Sequence, residues 1–187
     1  KTSYEISAVL GGQRRVFLSA GGLFSKDRIA KSTELLLDAI QPQPANRILD
    51  YGCGYGAVGI GLAGTAPDLE IRMVDSDIRA ARLAQTNVRV NEVKGVRVTL
   101  DHTLNRFRNG SLDIVALNPP VHRGTEAVFE MIERAQPKMR HGASFYLVAK
   151  VRRGAKSYMR KLTETIGPAK VLMRSGGYWV MRAERSP

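Results

Sequence analysis

Short apolar runs alternate with amphipathic segments through most of this chain of 187 residues. Runs rich in apolar residues and bounded by glycine or polar residues predict buried β-strands. They cover residues 47–51, 70–75, 96–101, 112–117 and 144–149. Apolar residues at helical spacing lie between these runs and predict helices. The predicted helices cover residues 57–64, 77–91, 127–135 and 155–166.

The segments on either side of this alternation predict further elements. Two β-prone runs, residues 4–10 and 14–20, flank a pair of glycines and predict a β-hairpin. Apolar positions at helical spacing over residues 29–40 predict a helix that precedes the first core strand. Near the other end of the chain, residues 170–173 and 178–183 predict a closing hairpin.

Alternation of strands and helices is typical of a parallel sheet that helices cover on both faces. We therefore predict an α/β fold with a Rossmann-like, doubly wound, seven-stranded and mostly parallel sheet. Its last strand would be antiparallel, and an N-terminal β-hairpin would precede it. Residues 1–22 would form this hairpin extension and residues 23–187 the main domain, within a chain whose length fits a single domain overall.

Composition limits the cellular location and the kinds of site that we expect for the protein. Hydrophobic residues make up 43% of the chain, but no apolar run approaches the roughly 18 residues that cross a bilayer. The first ten residues lack the continuous apolar core of a signal peptide. We therefore expect a soluble, cytoplasmic protein without a membrane partner. A single cysteine, Cys53, excludes an internal disulfide, and the three histidines lack the spacing of a metal site.

Charge points to a polyanionic partner. The 29 Lys and Arg against 17 Asp and Glu give a net charge of +12, which favours binding to RNA, DNA or another polyanion. A basic run between Lys150 and Lys161 contains no acidic residue. Its members are Lys150, Arg152, Arg153, Lys156, Arg160 and Lys161. The alternative is a solvated surface that happens to be basic.

The first core strand runs into the segment Asp50-Tyr51-Gly52-Cys53-Gly54-Tyr55-Gly56, here called the glycine loop. Ligands of open α/β sheets bind beyond the carboxyl ends of the strands, and alternating glycines let a ligand approach the backbone. The pattern is compatible with a nicotinamide dinucleotide, because Gly52, Gly54 and Ala57 fit its fingerprint and Asp75 lies about 20 residues on. The loop alone therefore leaves two cofactor classes open.

Asp50 favours the second class, S-adenosylmethionine. A carboxylate at this position would repel a pyrophosphate, whereas it would attract the ammonium and sulfonium groups of S-adenosylmethionine. Asp75 ends the second strand and can accept both ribose hydroxyls, and Asp101-His102 lies at the end of the third strand, where an adenine amine would lie. The predicted cofactor-binding residues are Asp50, Gly52, Gly54, Gly56, Asp75, Ser76, Asp101, His102 and Asn118. A capping role is the structural alternative for Asp50.

Asn118-Pro119-Pro120 follows the fourth strand and suits the capture of a planar amine. The nitrogen of a base amine or a carboxamide is a poor nucleophile, because its lone pair is conjugated. If the Asn118 side-chain oxygen and the Pro119 carbonyl accept its two hydrogens, its lone pair is held toward the methyl donor. We predict that Asn118, Pro119 and Pro120 are the catalytic residues. An ordinary turn after a strand is the alternative.

The glycine loop, Val74-Asp75 and Asn118-Pro119-Pro120 together resemble class I S-adenosylmethionine-dependent methyltransferases of the small-domain family. Within that family they are most similar to ribosomal RNA guanine-N2 methyltransferases. The resemblance covers about residues 16–184. It implies a class I methyltransferase fold and methylation of an exocyclic base nitrogen, with guanine N2 of ribosomal RNA as the nearest match. The implied partner is ribosomal RNA or a ribosomal particle.

The chain departs from the family at two points. Members usually carry an aromatic residue directly after the two prolines, where its ring stacks on the target base, and this chain has Val121 there. Phe24, His122 or Tyr4 could supply the ring instead. The predicted substrate-binding residues are Val121, His122, Phe24 and Arg123. Larger relatives also carry a second, degenerate copy of the domain, so here the hairpin and the basic surface would have to bind RNA, or another segment would.

Other functions remain open from the sequence. The same Asn-Pro-Pro platform serves the side-chain nitrogen of a protein glutamine or N6 of adenine in nucleic acid. A glutamine side chain needs no aromatic stacking partner, so Val121 in place of the usual aromatic residue favours glutamine as the acceptor. The net charge of +12 favours nucleic acid. A third possibility is a non-catalytic RNA-binding module in ribosome assembly that holds the cofactor without turnover.

Overall fold

The structure is a computed structural model that describes residues 3–20, 28–120 and 122–187. The strands in these ranges are β1 (Ser3–Leu10), β2 (Gln13–Ala20), β3 (Arg47–Tyr51), β4 (Glu70–Asp75), β5 (Val96–Leu100), β6 (Leu112–Leu117), β7 (Met139–Lys150), β8 (Ala169–Ser175) and β9 (Tyr178–Glu184). The α-helices are α1 (Lys31–Ala39), α2 (Ala57–Leu62), α3 (Ile78–Val90), α4 (Gly124–Ala135) and α5 (Ala155–Thr165). None of the described helices is long and apolar enough to span a bilayer.

Seven strands form one sheet in the order β5-β4-β3-β6-β7-β9-β8. Strand β9 is antiparallel to both of its neighbours, β7 and β8, whereas the other neighbouring pairs are parallel. This topology confirms the predicted fold class. The strand order reverses between β3 and β6, and the carboxyl ends of these two strands therefore flank the crevice where open α/β sheets bind ligands.

Helices cover both faces of the sheet, which explains why its central strands are largely apolar. Side chains of a strand alternate between the two faces. Accordingly, Ile48 and Ile114 pack with α1, α2 and the hairpin, while Leu49 and Val115 pack with α4 and α5 on the other face. All four side chains are 4% exposed or less. The two cores hold the carboxyl ends of β3 and β6 in fixed positions.

Strand β7 is longer than the sequence predicts. It begins at Met139, not at residue 144, because its pairing with β6 shifts register: Leu112 pairs with Met139, but Ile114 pairs with Ser144. The extra residues bulge from the sheet, and Gly142 N–H bonds to the carbonyl of Arg185 at 2.9 Å. Since the bulge is polar, no apolar run marks it in the sequence.

Two asparagines bind the N-terminal hairpin to the main domain: Asn87 lies in α3, and Asn91 is the C-cap of the same helix. Asn91 exchanges hydrogen bonds with the backbone N–H and C=O of Val16, at 2.9 and 2.7 Å. Asn87 does the same with Leu18, at 2.8 and 3.0 Å, and also donates to the carbonyl of Tyr55 in the glycine loop at 2.8 Å. These amides imitate a neighbouring strand and cover the free edge of β2. The predicted boundary near residue 22 lies outside the described residues.

Candidate active site

Two cavities open at the carboxyl edge of the sheet, and Pro120 lines both. The acidic cavity, about 400 Å³, lies over the ends of β3, β4 and β5 and contains four carboxylates against two arginines. The carboxylates are Asp75, Asp77, Asp101 and Glu130, and the arginines are Arg123 and Arg134. The tyrosine cavity, about 420 Å³, lies over the ends of β6 and β7. It is lined by Asn118, Pro119, Lys150, Arg153, Tyr158 and Tyr178, among others.

Asp75 ends β4 and presents to the acidic cavity a carboxylate that the backbone orients. Its Oδ2 accepts a hydrogen bond from Gly54 N–H at 2.9 Å, and its Oδ1 accepts one from Asp77 N–H at 2.9 Å. An ionised carboxylate has about four lone-pair sites, so Asp75 can accept two more hydrogen bonds. This arrangement fits the predicted pair of ribose hydroxyls.

Asp101 follows β5 and carries a buried acceptor. Its Oδ1 accepts hydrogen bonds from the N–H and hydroxyl of Thr103, at 2.8 and 2.9 Å. Its Oδ2 is buried without a hydrogen-bond partner among the described residues. Although burial raises the pKa of Asp101, hydrogen bonds from Thr103, His102 and Leu104 outweigh burial and lower it. The ionised side chain therefore offers a buried oxygen to a ligand donor, which fits the predicted adenine amine.

Asp50 is the first residue of the glycine loop, and its side chain is buried beside α2. It is 2% exposed, and its Oδ2 accepts a hydrogen bond from Gly59 N–H at 2.9 Å. Gly56 occupies the N-cap of α2 and has no side chain to cap the helix, so Asp50 caps it from the end of β3. This bond occupies an amide at the helix N-terminus, where a dinucleotide pyrophosphate would bind. A direct contact between Asp50 and a cofactor stays a prediction.

The buried carboxyl of Asp50 should give the protein a specific pH dependence. Burial, opposed by the Gly59 hydrogen bond and assisted by the charge of Asp75, raises the pKa of Asp50 from 3.8 to about 7. The folded state then holds the proton more tightly than the unfolded chain. The stability that this group contributes is present below its ordinary pKa and is lost as pH rises toward about 7, by up to about 1.4 kcal/mol per pH unit.

We predict that Asp50→Asn removes this pH dependence, because asparagine can still accept the Gly59 hydrogen bond but does not titrate. Urea unfolding of both proteins at several pH values between about 5 and 8 measures the effect. The variant should gain stability relative to the wild type as pH rises. Parallel stability profiles for the two proteins would show that Asp50 does not titrate in this range.

Gly52 and Gly56 of the glycine loop need left-handed backbone, with φ of +72° and +99°. Gly52 lines the acidic cavity, and a Cβ there would meet the terminal methyl of Met131 at 3.4 Å. A Cβ on Gly56 would press against core side chains at 3.1 and 3.2 Å. Gly52 is therefore placed to contact a ligand, whereas the structure gives Gly56 a packing and capping role.

Arg123 lines the acidic cavity. Its Nη2 donates to the hydroxyl of Ser76 at 2.6 Å, which joins the start of α4 to the loop after β4. His102 and His122 line the same cavity. The structure thus places His122 and Arg123, which we predicted to bind substrate, beside the residues predicted to bind the cofactor. The other two predicted substrate residues, Phe24 and Val121, lie outside the described residues.

Asn118 directly follows β6 and lines the tyrosine cavity. Its Nδ2 donates to the hydroxyl oxygens of Ser32 at 3.2 Å and Thr33 at 3.3 Å, both in the first turn of α1. Because the amide nitrogen is directed at α1, Oδ1 points away from α1 and can accept a hydrogen bond from a ligand. Pro119 and Pro120 line the same cavity. The structure thus brings these three residues together at one cavity, and their role in holding a planar amine stays a prediction.

Cys53 is a buried residue of the glycine loop. Burial, together with the negative charges of Asp50 and Asp75, raises the pKa of the Cys53 thiol well above its usual range. The thiol is therefore neutral at physiological pH and a weak nucleophile. No group of three or more His, Cys, Asp or Glu among residues 3–20, 28–120 and 122–187 could hold a metal ion.

Sequence reasoning missed one face of α4. Ala127, Glu130, Met131 and Arg134 all line the acidic cavity. Arg134 also donates to the carbonyl of His102 at 3.1 Å and pairs with Glu130 at 3.4 Å. The spacing of these residues by three and four positions was visible in the sequence, but it indicated only a helix. Sequence reasoning also missed Ser32, Thr33 and Tyr178, which no motif marks.

The chain is similar to several known proteins. The model of the methyltransferase small domain family matches residues 14–182 of the chain. The uncharacterised protein YbxB of Bacillus subtilis is 28% identical over 171 residues, which cover 90% of this chain and 85% of YbxB. Ribosomal RNA small subunit methyltransferase C of Cronobacter sakazakii is 29% identical over 166 residues, which cover 87% of this chain and 47% of that enzyme.

A solved structure shares the fold. The T. thermophilus 16S rRNA N2 G1207 methyltransferase (RsmC), in complex with AdoMet and guanosine, matches with a TM-score of 0.86 and 24% identity. The match covers 99% of this chain and 51% of that one. This chain thus spans about half the length of the ribosomal RNA methyltransferases that it matches.

Proposed function

Since the chain belongs to the methyltransferase small domain family, we propose that it methylates an exocyclic nitrogen of an RNA base, with guanine N2 of ribosomal RNA as the preferred acceptor. Family membership confirms the predicted class of enzyme and its cofactor, S-adenosylmethionine. One observation carries the proposal for the acceptor. The Asn118-Pro119-Pro120 segment lies where a carboxylate-rich cavity meets a second cavity lined by tyrosines and cations.

The acidic cavity fits the cofactor. Its four carboxylates suit a ligand that carries an ammonium and a sulfonium, and the bond from Gly59 to Asp50 leaves fewer helix amides for a pyrophosphate. Asp75 would bind the ribose hydroxyls, and the unpartnered Oδ2 of Asp101 would accept from the adenine amine. When bound, S-adenosylmethionine would supply an electrophilic methyl group: its transfer would form a C–N bond, break a C–S bond to leave the thioether, and release one amine proton to solvent.

The protein's contribution to the reaction is to position the acceptor. Asn118 Oδ1 and the Pro119 carbonyl would accept the two N–H groups of the planar amine and thereby direct its lone pair toward the acidic cavity. Such positioning replaces a chance encounter with a fixed geometry, and the two acceptors stabilise positive charge that develops on the nitrogen. A paired guanine hides this amine, so the target should be unstacked or flipped out.

Charge and relatives support RNA as the acceptor. The net charge of +12 favours a polyanion, and the matched Cronobacter sakazakii and T. thermophilus proteins are named as ribosomal RNA methyltransferases. The alternatives are protein glutamine and adenine N6, since the Asn-Pro-Pro platform does not distinguish planar nitrogens.

Transfer of labelled methyl groups to total RNA, total DNA and total protein tests the proposal. The substrates should come from cells that lack the protein, because their sites are unmodified. We expect label in RNA. Label in protein or DNA alone would contradict the proposed acceptor, and tight RNA binding without transfer to any fraction would favour the non-catalytic assembly module.

The two hydroxyls that hold Asn118 should affect turnover more than binding. We predict that the double variant Ser32→Ala/Thr33→Val lowers kcat about tenfold, because two hydrogen bonds of about 0.5–1.5 kcal/mol each no longer orient the amide. Methylation kinetics measure kcat, and calorimetry measures cofactor affinity, which should stay near the wild-type value.

The control for this prediction exchanges the two residues. Ser32→Thr/Thr33→Ser keeps both hydroxyls and should retain most of the activity. Equal loss of kcat in both double variants would mean that packing at α1, and not the hydroxyls, controls turnover.

A further inference from the structure

We propose that the tyrosine cavity binds the acceptor nucleotide: the ring of Tyr178 stacks on the base, and Lys150 and Arg153 bind the adjoining phosphate. The inference rests on the proposed function, since it concerns the acceptor side of the same site. It also deepens that proposal, because it assigns the acceptor to nucleic acid by the chemistry of the cavity walls.

The position of Tyr178 supports a stacking role. Tyr178 begins β9 and is the cross-strand partner of Lys150, the last residue of β7. It is half-buried, and both residues line the cavity that contains Asn118. Lys150 Nζ lies 5.3 Å from the centroid of the Tyr178 ring, within cation–π range. A base whose amine is bound at Asn118 would therefore have an aromatic surface within the same cavity.

The other walls suit a flat, apolar ligand. Tyr158 is 6% exposed and packs edge-on against Phe129, with ring centroids 6.3 Å apart. Val148, Ala149 and the two prolines supply further apolar surface. Aromatic side chains are the usual platforms for an unstacked base. Tyr178 can thus provide an aromatic ring at this cavity, where Val121 directly after the two prolines offers none.

The cations at this cavity favour a nucleotide over a glutamine side chain. Lys150 and Arg153 line the cavity and belong to the basic run that ends at Lys161. Lys161 pairs with Glu133, but none of the ion pairs recorded for the described residues uses Lys150 or Arg153. Both are exposed and remain available for phosphate. A glutamine side chain has neither a flat ring nor a phosphate.

Kinetics of two variants test the stacking contact. Tyr178→Leu should raise KM for unmodified ribosomal RNA about 5- to 100-fold, as expected for one lost stacking contact, with cofactor affinity unchanged. Tyr178→Phe keeps the ring and should have a KM close to that of the wild type. If the wild type methylates RNA and Tyr178→Leu has an unchanged KM, the stacking proposal is overturned while the proposed function stands. Methylation of protein alone by the wild type would overturn both.

Salt dependence tests the phosphate contacts without relying on turnover. Each phosphate contact that is lost should lower the slope of log affinity against log salt by about one. Binding of unmodified ribosomal RNA by Lys150→Met/Arg153→Gln should therefore show a slope reduced by up to about two, whereas a single change at the exposed Arg97, Arg97→Gln, should not alter it. A slope equal to that of the wild type in the double variant would overturn this part of the proposal. Thermal unfolding checks that each variant is folded.

Discussion

Asn118→Ala should reduce methyl transfer by at least about 10²- to 10³-fold, the usual cost of removing one preorganised polar group from a reacting centre. Alanine cannot accept an N–H of the amine, so the nitrogen is no longer oriented toward the methyl donor. The variant should still bind S-adenosylmethionine with nearly wild-type affinity, because Asn118 lines the tyrosine cavity and the residues that fit the cofactor lie in the acidic cavity. Single-turnover rates and calorimetry measure the two quantities.

The control for this variant is Asn105→Ala, at an exposed asparagine outside both cavities. Its transfer rate should equal that of the wild type. Two outcomes would count against the assigned role of Asn118. Undiminished transfer by Asn118→Ala would show that Asn118 takes no part in catalysis. A loss of cofactor affinity as large as the loss of transfer would show that Asn118 binds the cofactor, a role that the sequence also predicted.

Asp75→Asn should weaken S-adenosylmethionine binding by about 10²-fold or more. Hydrogen bonds to a charged group contribute about 1.5–3 kcal/mol each, and the variant loses the charge from both predicted ribose contacts. Its amide nitrogen would also face the N–H of Gly54 or Asp77, where Asp75 now accepts. The substitution therefore disturbs the glycine loop as well as the ligand contact. Calorimetric titration with the cofactor measures the effect.

Asp38→Asn is the matched control, since it also replaces one carboxylate by an amide, at an exposed position of α1. It should bind the cofactor as tightly as the wild type does. Equal affinities of Asp75→Asn and Asp38→Asn would mean that Asp75 does not contact the cofactor. Circular dichroism of both variants would establish that the fold is retained.

The central strands could be predicted to the residue because burial on both faces leaves a clear signal. Strands β3, β4 and β6 have the predicted bounds, and the helix predicted from residue 77 begins at Ile78 with Asp77 as its N-cap. Strand β7 could not be predicted in full, because the polar residues 140–142 that follow Met139 bulge from the sheet. A bulge depends on pairing between distant segments, and the local pattern does not contain that information.

The candidate site also contains residues that the sequence could locate and residues that only the structure shows. Asp75 ends β4 and Asn118 directly follows β6, so the topology alone brings them to one edge of the sheet. Asp50 also ends a strand, but its side chain points under α2, and only the structure shows that Gly59 uses it as a cap. The contacts of Ser32 and Thr33 with Asn118, and the position of Tyr178 beside it, depend on packing between segments far apart in sequence.

Mass spectrometry of ribosomal RNA nucleosides tests the central claim most directly. Ribosomal RNA from cells that lack this protein should have less N2-methylguanosine than RNA from wild-type cells. Expression of the wild-type protein should restore the nucleoside, and expression of Asn118→Ala should not. Unchanged N2-methylguanosine in the deletion cells, with the missing methyl group found on another base or on a protein glutamine, would contradict the account.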